Sequence, residues 1–136
     1  MPSSVLFVHN NFPAQFRDLA QTLLDRGVRC AAIGQDVAPG IEGMAIGRYS
    51  LDRGSTPDML PLAVRAEADL IRGSGALRVA KLMKEQGFDP AVIVGHPGWG
   101  ETIFLDEVWP DARRVAFAEF YYRGRGLDIG DRKSVV

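Results

Sequence analysis

Residues able to do chemistry fall in three short segments, each directly after an apolar run: His9-Asn10-Asn11-Phe12-Pro13, His96-Pro97-Gly98-Trp99-Gly100-Glu101 and Glu119-Phe120-Tyr121-Tyr122-Arg123. A histidine exchanges protons or donates hydrogen bonds near neutral pH, so His96 reads as a candidate proton carrier; the competing reading is an imidazole satisfied by backbone groups. Gly98 and Gly100 bracket Trp99 and open backbone angles closed to other residues, lifting a large flat ring out of a tight turn. Such a ring suits stacking on a sugar or base, and otherwise folds back over the core. Glu101 is either a site carboxylate or a first-turn carboxylate favoured by the helix dipole. Asn10 and Asn11 offer donors at a helix N-terminus, where anions bind, or Asn11 caps that helix. Glu119, Tyr121, Tyr122 and Arg123 combine hydrogen-bonding groups with aromatic faces, as polar carbohydrates require; at least one tyrosine packing on a sheet rim is the alternative.

Other chemistries are missing their residues. The first segment lacks the glycines that let a backbone close on a pyrophosphate, so neither a dinucleotide fingerprint nor a P-loop is present. Two histidines and one cysteine do not make a closed zinc site. There is no G-x-S-x-G elbow, and Gly73-Ser74-Gly75 falls within a helical pattern rather than after a strand.

The segments need a scaffold, and the apolar spacing supplies one. Val5 to Val8 is a continuous apolar run, the pattern of a strand covered on both faces. Phe12, Phe16, Leu19, Ala20, Leu23 and Leu24 recur at helical spacing and predict a helix from Pro13 to Arg26, ended by Gly27. Val28 to Ile33 and Met44 to Ile46 read as strands, with turns between them. Leu60 to Gln86 is a long helical pattern ended by Gly87. Gly73 lies on its apolar stripe, so either the helix breaks near Arg72 to Gly75 or another backbone approaches there. Ala91 to Gly95 and Val115 to Ala118 are further strands, with a short helix from Thr102 to Val108 between them. Strands alternating with helices predict an α/β, Rossmann-like three-layer domain with a mostly parallel sheet. In such sheets ligands collect beyond the carboxyl ends of the strands, where all three segments fall.

The chain has 136 residues, enough for one modest domain, with 46% hydrophobic and 24% charged residues. A net charge of -1 nominates no nucleic-acid partner. Only the tail is basic, through Arg113, Arg114, Arg123, Arg125, Arg132 and Lys133. Cys30 sits alone in an apolar run and is expected to be a buried thiol, consistent with a reducing cytoplasm. The N-terminus has neither a signal-peptide pattern nor a spanning segment, so the expected location is cytoplasmic.

At His9 to Phe16 (H-x-N-F-P-x-Q-F), Gly95 to Glu101 (G-H-P-G-W-G-E) and Glu119 to Tyr122 (E-F-Y-Y), the chain resembles the N-terminal domain of family 4 glycosyltransferases, in particular a bacterial subgroup. The resemblance covers about residues 4 to 130. It implies one half of a GT-B fold: residues 1–130 as the acceptor-side domain, facing a C-terminal donor domain that this chain lacks, with 131–136 as a tail unlike the family. It further implies retaining transfer of a sugar from a nucleotide-sugar to a glycan or other acceptor, with no metal and no cofactor beyond that co-substrate. His96 matches the histidine that approaches the transferred sugar and is the expected catalytic residue. Asn10, Asn11, Phe12 and Pro13 match the loop facing the donor phosphates, where backbone donors would stabilise a departing diphosphate. Gly98, Trp99, Gly100, Glu101, Glu119, Tyr121, Tyr122 and Arg123 complete the expected substrate-binding set. No E-x7-E motif is present, and the chain alone is expected to be inactive. The expected partners are the acceptor and, through the second domain, the nucleotide-sugar; peripheral membrane contact and self-association stay open. The alternative function is a stand-alone carbohydrate-binding or interaction module. A flavodoxin-like domain for a nucleotide or other small ligand is a third possibility.

Overall fold

A computed structural model describes residues 2–119. Its centre is a five-stranded, all-parallel sheet made of β1 (Ser4–Val8), β2 (Arg29–Gln35), β3 (Ala45–Tyr49), β4 (Val92–Gly95) and β5 (Arg113–Ala116), in the order β3-β2-β1-β4-β5. Every residue of β1 is buried, as its unbroken apolar run requires of the middle strand. Helix α1 (Arg17–Asp25) covers one face; α2 (Val64–Glu85) and α3 (Leu105–Val108) cover the other.

Alternation along the strands divides the core in two. Val5, Phe7, Cys30, Ala32 and Val94 point toward α1, where Phe12, Phe16 and Ala20 meet them. Leu6, Val8, Ala31, Ile33 and Ile93 point toward α2 and α3, packing with Ala76, Ala80, Leu105 and Trp109. Gly27 and Gly87 end α1 and α2 with φ of 79° and 90°, the left-handed geometry expected of helix-terminating glycines.

The elements follow the predicted order, with shifted ends. The first helix is split, a 3-10 turn at Ala14–Phe16 leading into α1. β2 and β3 run on to Gln35 and Tyr49, and only Leu105–Val108 of the third predicted helix is α-helical. β5 begins two residues earlier than its apolar residues suggest. It is an edge strand with every residue exposed, so Arg113 and Arg114 join it without any cost of burial. Gly73 does not break α2. An added Cβ there would stand 2.7 Å from the Gly100 carbonyl oxygen, so the second of the two predicted explanations holds, a close backbone approach.

Candidate functional site

β1 and β4 are neighbours, but β1 leads on to β2 on one side of the sheet while β4 leads to β5 on the other. Between them the winding reverses, and the crevice outside the carboxyl ends at such a point is the usual ligand site of an open α/β sheet. His9 follows β1 directly and His96 follows β4 directly, their ring centroids 5.1 Å apart and edge to face.

The two histidines are fixed by the same device. His9 Nδ1 accepts the Asn11 N–H at 2.9 Å, and His96 Nδ1 accepts the Gly98 N–H at 3.1 Å. A neutral imidazole that accepts at Nδ1 carries its proton on Nε2. His96 Nε2–H therefore donates to Glu119 Oε2, at 2.8 Å. His96 is only 4% exposed, so both of its nitrogens are engaged inside the protein. Glu119 is held below the ordinary carboxylate pKa, first by this hydrogen bond. Burial, reinforced by the neighbouring His96, lowers the pKa of His9.

The Gly98-Trp99-Gly100 turn is built by exclusion of side chains. A Cβ on Gly98 would stand 2.7 Å from the His96 ring; Gly100 has φ of 101°, and a Cβ there would strike the backbone of Asp69 on α2. Trp99 is 36% exposed, neither lifted free nor folded in. Its ring lies within 17° of the His96 plane at 6.3 Å, and the guanidinium carbons of Arg65 and Arg72 sit 5.6 and 5.9 Å from the indole. Arg65 donates to the Gly98 carbonyl oxygen at 2.9 Å and Arg72 to that of Trp99 at 3.4 Å, while both pair with Asp69. Above the histidines opens a depression of about 650 Å³ lined by His9, Asn10, Ala14, Gln15, Trp99 and Glu119.

Of the expected site residues, Asn10, Trp99 and Glu119 meet in this depression, with His96 beneath Glu119 and Gly98 and Gly100 shaping the turn. Others lie elsewhere. Phe12 and Pro13 are fully buried, Phe12 packing on Phe7 at 5.8 Å, so neither side chain can be offered to a substrate. The Asn11 side chain is exposed and caps no helix; α1 starts after Phe16 without a side-chain cap. Glu101 is not in a helical first turn but fully buried, Oε1 accepting from the Tyr49 hydroxyl at 2.8 Å and Oε2 without a partner among the described residues. Burial pushes its pKa up, against the pull of the Tyr49 hydrogen bond. Tyr121, Tyr122 and Arg123 lie outside the described residues.

Sequence reasoning assigned no role to His9, Gln15, Tyr49, Arg65 or Arg72. Arg65 and Arg72 carried a signal, since a spacing of seven puts them on one face of a helix. Tyr49 carried none; in the structure a Cβ at Gly75 would stand 2.7 Å from its ring. Among the described residues no group of three or more His, Cys, Asp or Glu side chains could hold a metal ion, and no helix is long and apolar enough to cross a membrane.

A family model described as glycosyl transferase family 4 group matches residues 26–134. That span includes His96, Trp99 and Glu119 and leaves out the His9 to Phe16 segment. No curated protein and no solved structure matches the chain.

Proposed function

The chain belongs to the glycosyl transferase family 4 group, and from that premise we propose that the crevice between β1 and β4 is the acceptor-side wall of a sugar-transfer site. The observation that carries this reading is the convergence, at the switch point of the sheet, of a half-exposed indole, two strand-end histidines and a carboxylate. An indole takes the apolar face of a pyranose, and the polar groups around it match hydroxyls. In this reading the donor is a nucleotide-sugar held by a facing domain, and transfer proceeds with retention. The described wall is an open depression, so water exclusion at the reacting carbon falls to that second surface. The site needs no metal if backbone and side-chain donors stabilise the departing diphosphate. In this reading Asn10, which lines the depression after β1, faces those phosphates.

The test is nucleotide release from a panel of UDP- and GDP-sugars with glycan acceptors, using the chain alone and the chain joined to a family 4 donor-binding domain. Release by the joined protein with at least one donor, cut at least tenfold by Trp99→Ala, is the expected result. A joined protein that folds and releases nucleotide from none of them overturns the reading. Glycan binding by the chain without transfer in the joined form would instead make it a non-catalytic carbohydrate module.

A further inference from the structure

His96 is the residue that the family resemblance nominates for contact with substrate, yet its ring is 4% exposed and both nitrogens are spent, on the Gly98 N–H and on Glu119. Glu119 is its opposite. The carboxylate is 36% exposed and forms part of the wall of the depression, facing Trp99, Gln15 and His9. A carboxylate has two oxygens and about four acceptor sites, of which, among the described residues, His96 uses one while the Gln15 amide is directed at another. We infer that Glu119 and Trp99 form a pyranose subsite in which the carboxylate accepts hydrogen bonds from sugar hydroxyls, while His96 is a positioning residue that aims the carboxylate. The inference rests on the carbohydrate reading of the crevice and reverses the roles that the sequence suggests for these two residues.

Two features sharpen the chemistry. A carboxylate hydrogen-bonded by an imidazole and held below its ordinary pKa is a weak base, so Glu119 serves to orient hydroxyls rather than to remove their protons. Among the described residues lining the depression, Glu119 is the only one with a full charge at neutral pH, since the pKa of His9 is lowered and Asn10, Ala14, Gln15 and Trp99 carry none. Arg65 and Arg72, over the indole ring, share Asp69. The described lining therefore fits a neutral pyranose better than a uronate.

The experiment is a titration of the chain with methyl glycosides of glucose, galactose and mannose and with methyl glucuronide, followed by two-dimensional NMR and the Trp99 indole N–H resonance. At least one neutral glycoside is expected to bind at millimolar concentration and shift that resonance, with the glucuronide weaker. Glu119→Gln should lose at least tenfold in affinity, the loss expected for hydrogen bonds to a charged acceptor. His96→Leu should weaken binding, His96→Gln, which keeps an N–H donor, should recover part of it, and either change should add little in the Glu119→Gln background. Unchanged affinity in folded Glu119→Gln, failure of every neutral glycoside to bind, or full additivity of the two substitutions overturns the inference. The readout is independent of transfer: glycoside affinity that depends on Glu119, without nucleotide release by the joined protein, keeps this subsite and removes the transferase reading. Release that persists unchanged in Glu119→Gln does the reverse.

Discussion

Replacing Gly73 by alanine should destabilise the protein, although in an ordinary helix the same change is stabilising. Removing a glycine from a helix interior is worth about 1 kcal/mol. Here the new Cβ would stand 2.7 Å from the Gly100 carbonyl oxygen and 3.2 Å from the Phe104 ring. Overpacking of this kind costs about 1–3 kcal/mol, and the upper end applies because the nearest atom belongs to a backbone rather than to a flexible side chain. The turn cannot easily back away, since Arg65 and Arg72 tie the Gly98 and Trp99 carbonyl oxygens to α2. The net expectation is a loss of about 1–2 kcal/mol, a fall in Tm of about 3–10 °C for a chain of this size. Thermal unfolding by circular dichroism reads the effect, and glycoside titration should show weaker binding as the Trp99 turn is pushed outward. An unchanged or raised Tm would mean that the turn does not pack on α2 as described, and the account of how the indole is positioned would fail with it.

Glu101→Gln keeps the shape and an acceptor for the Tyr49 hydroxyl while removing a buried titratable group. Because the folded pKa of Glu101 is raised, its stabilising contribution is complete below the ordinary 4.5 and is lost as pH rises through the folded value. Urea unfolding between pH 4 and 8 should therefore show a downward slope in the native protein that flattens in Glu101→Gln, with the variant at least as stable at pH 7; identical slopes contradict the burial argument. His9 has the opposite sign: its lowered pKa gives stability present above the ordinary 6.5 and lost as pH falls through the folded value, so His9→Gln should blunt the loss on acidification. Phe12→Ala should cost about 3–5 kcal/mol as a core truncation. Phe12→Leu should fold and bind glycosides like the native chain, whereas selective loss of binding in a stable Phe12→Leu would restore the residue to the site.

The sheet was legible because its central strands are apolar on both faces; Val5 to Val8 and Val92 to Gly95 admit little else. Strand ends were less so. β5 is exposed throughout, and apolarity does not mark the start of an uncovered edge. At the candidate site, the gathering of residues was legible but not their contacts. Strand-end position located His96, Trp99 and Glu119, because the fold fixes where such residues emerge. Which of them faces outward depends on contacts between distant segments: Glu119 meets His96 across 23 residues, and Tyr49 claims Glu101 across 52. Spacing within a segment carries no trace of such pairings, so Glu101 and Phe12 look as available as Trp99 until the core is assembled around them.

The most direct measurement is a crystal structure of the chain joined to a donor-binding domain and soaked with a nucleotide-sugar and an acceptor glycoside. The account predicts sugar density in the crevice beyond β1 and β4, in contact with the Trp99 ring and the Glu119 carboxylate, with His96 still bonded to Glu119. Sugar seated instead at the opposite end of the strands, in the depression lined by Arg29, Cys30, Ala45 and Phe88, would contradict it.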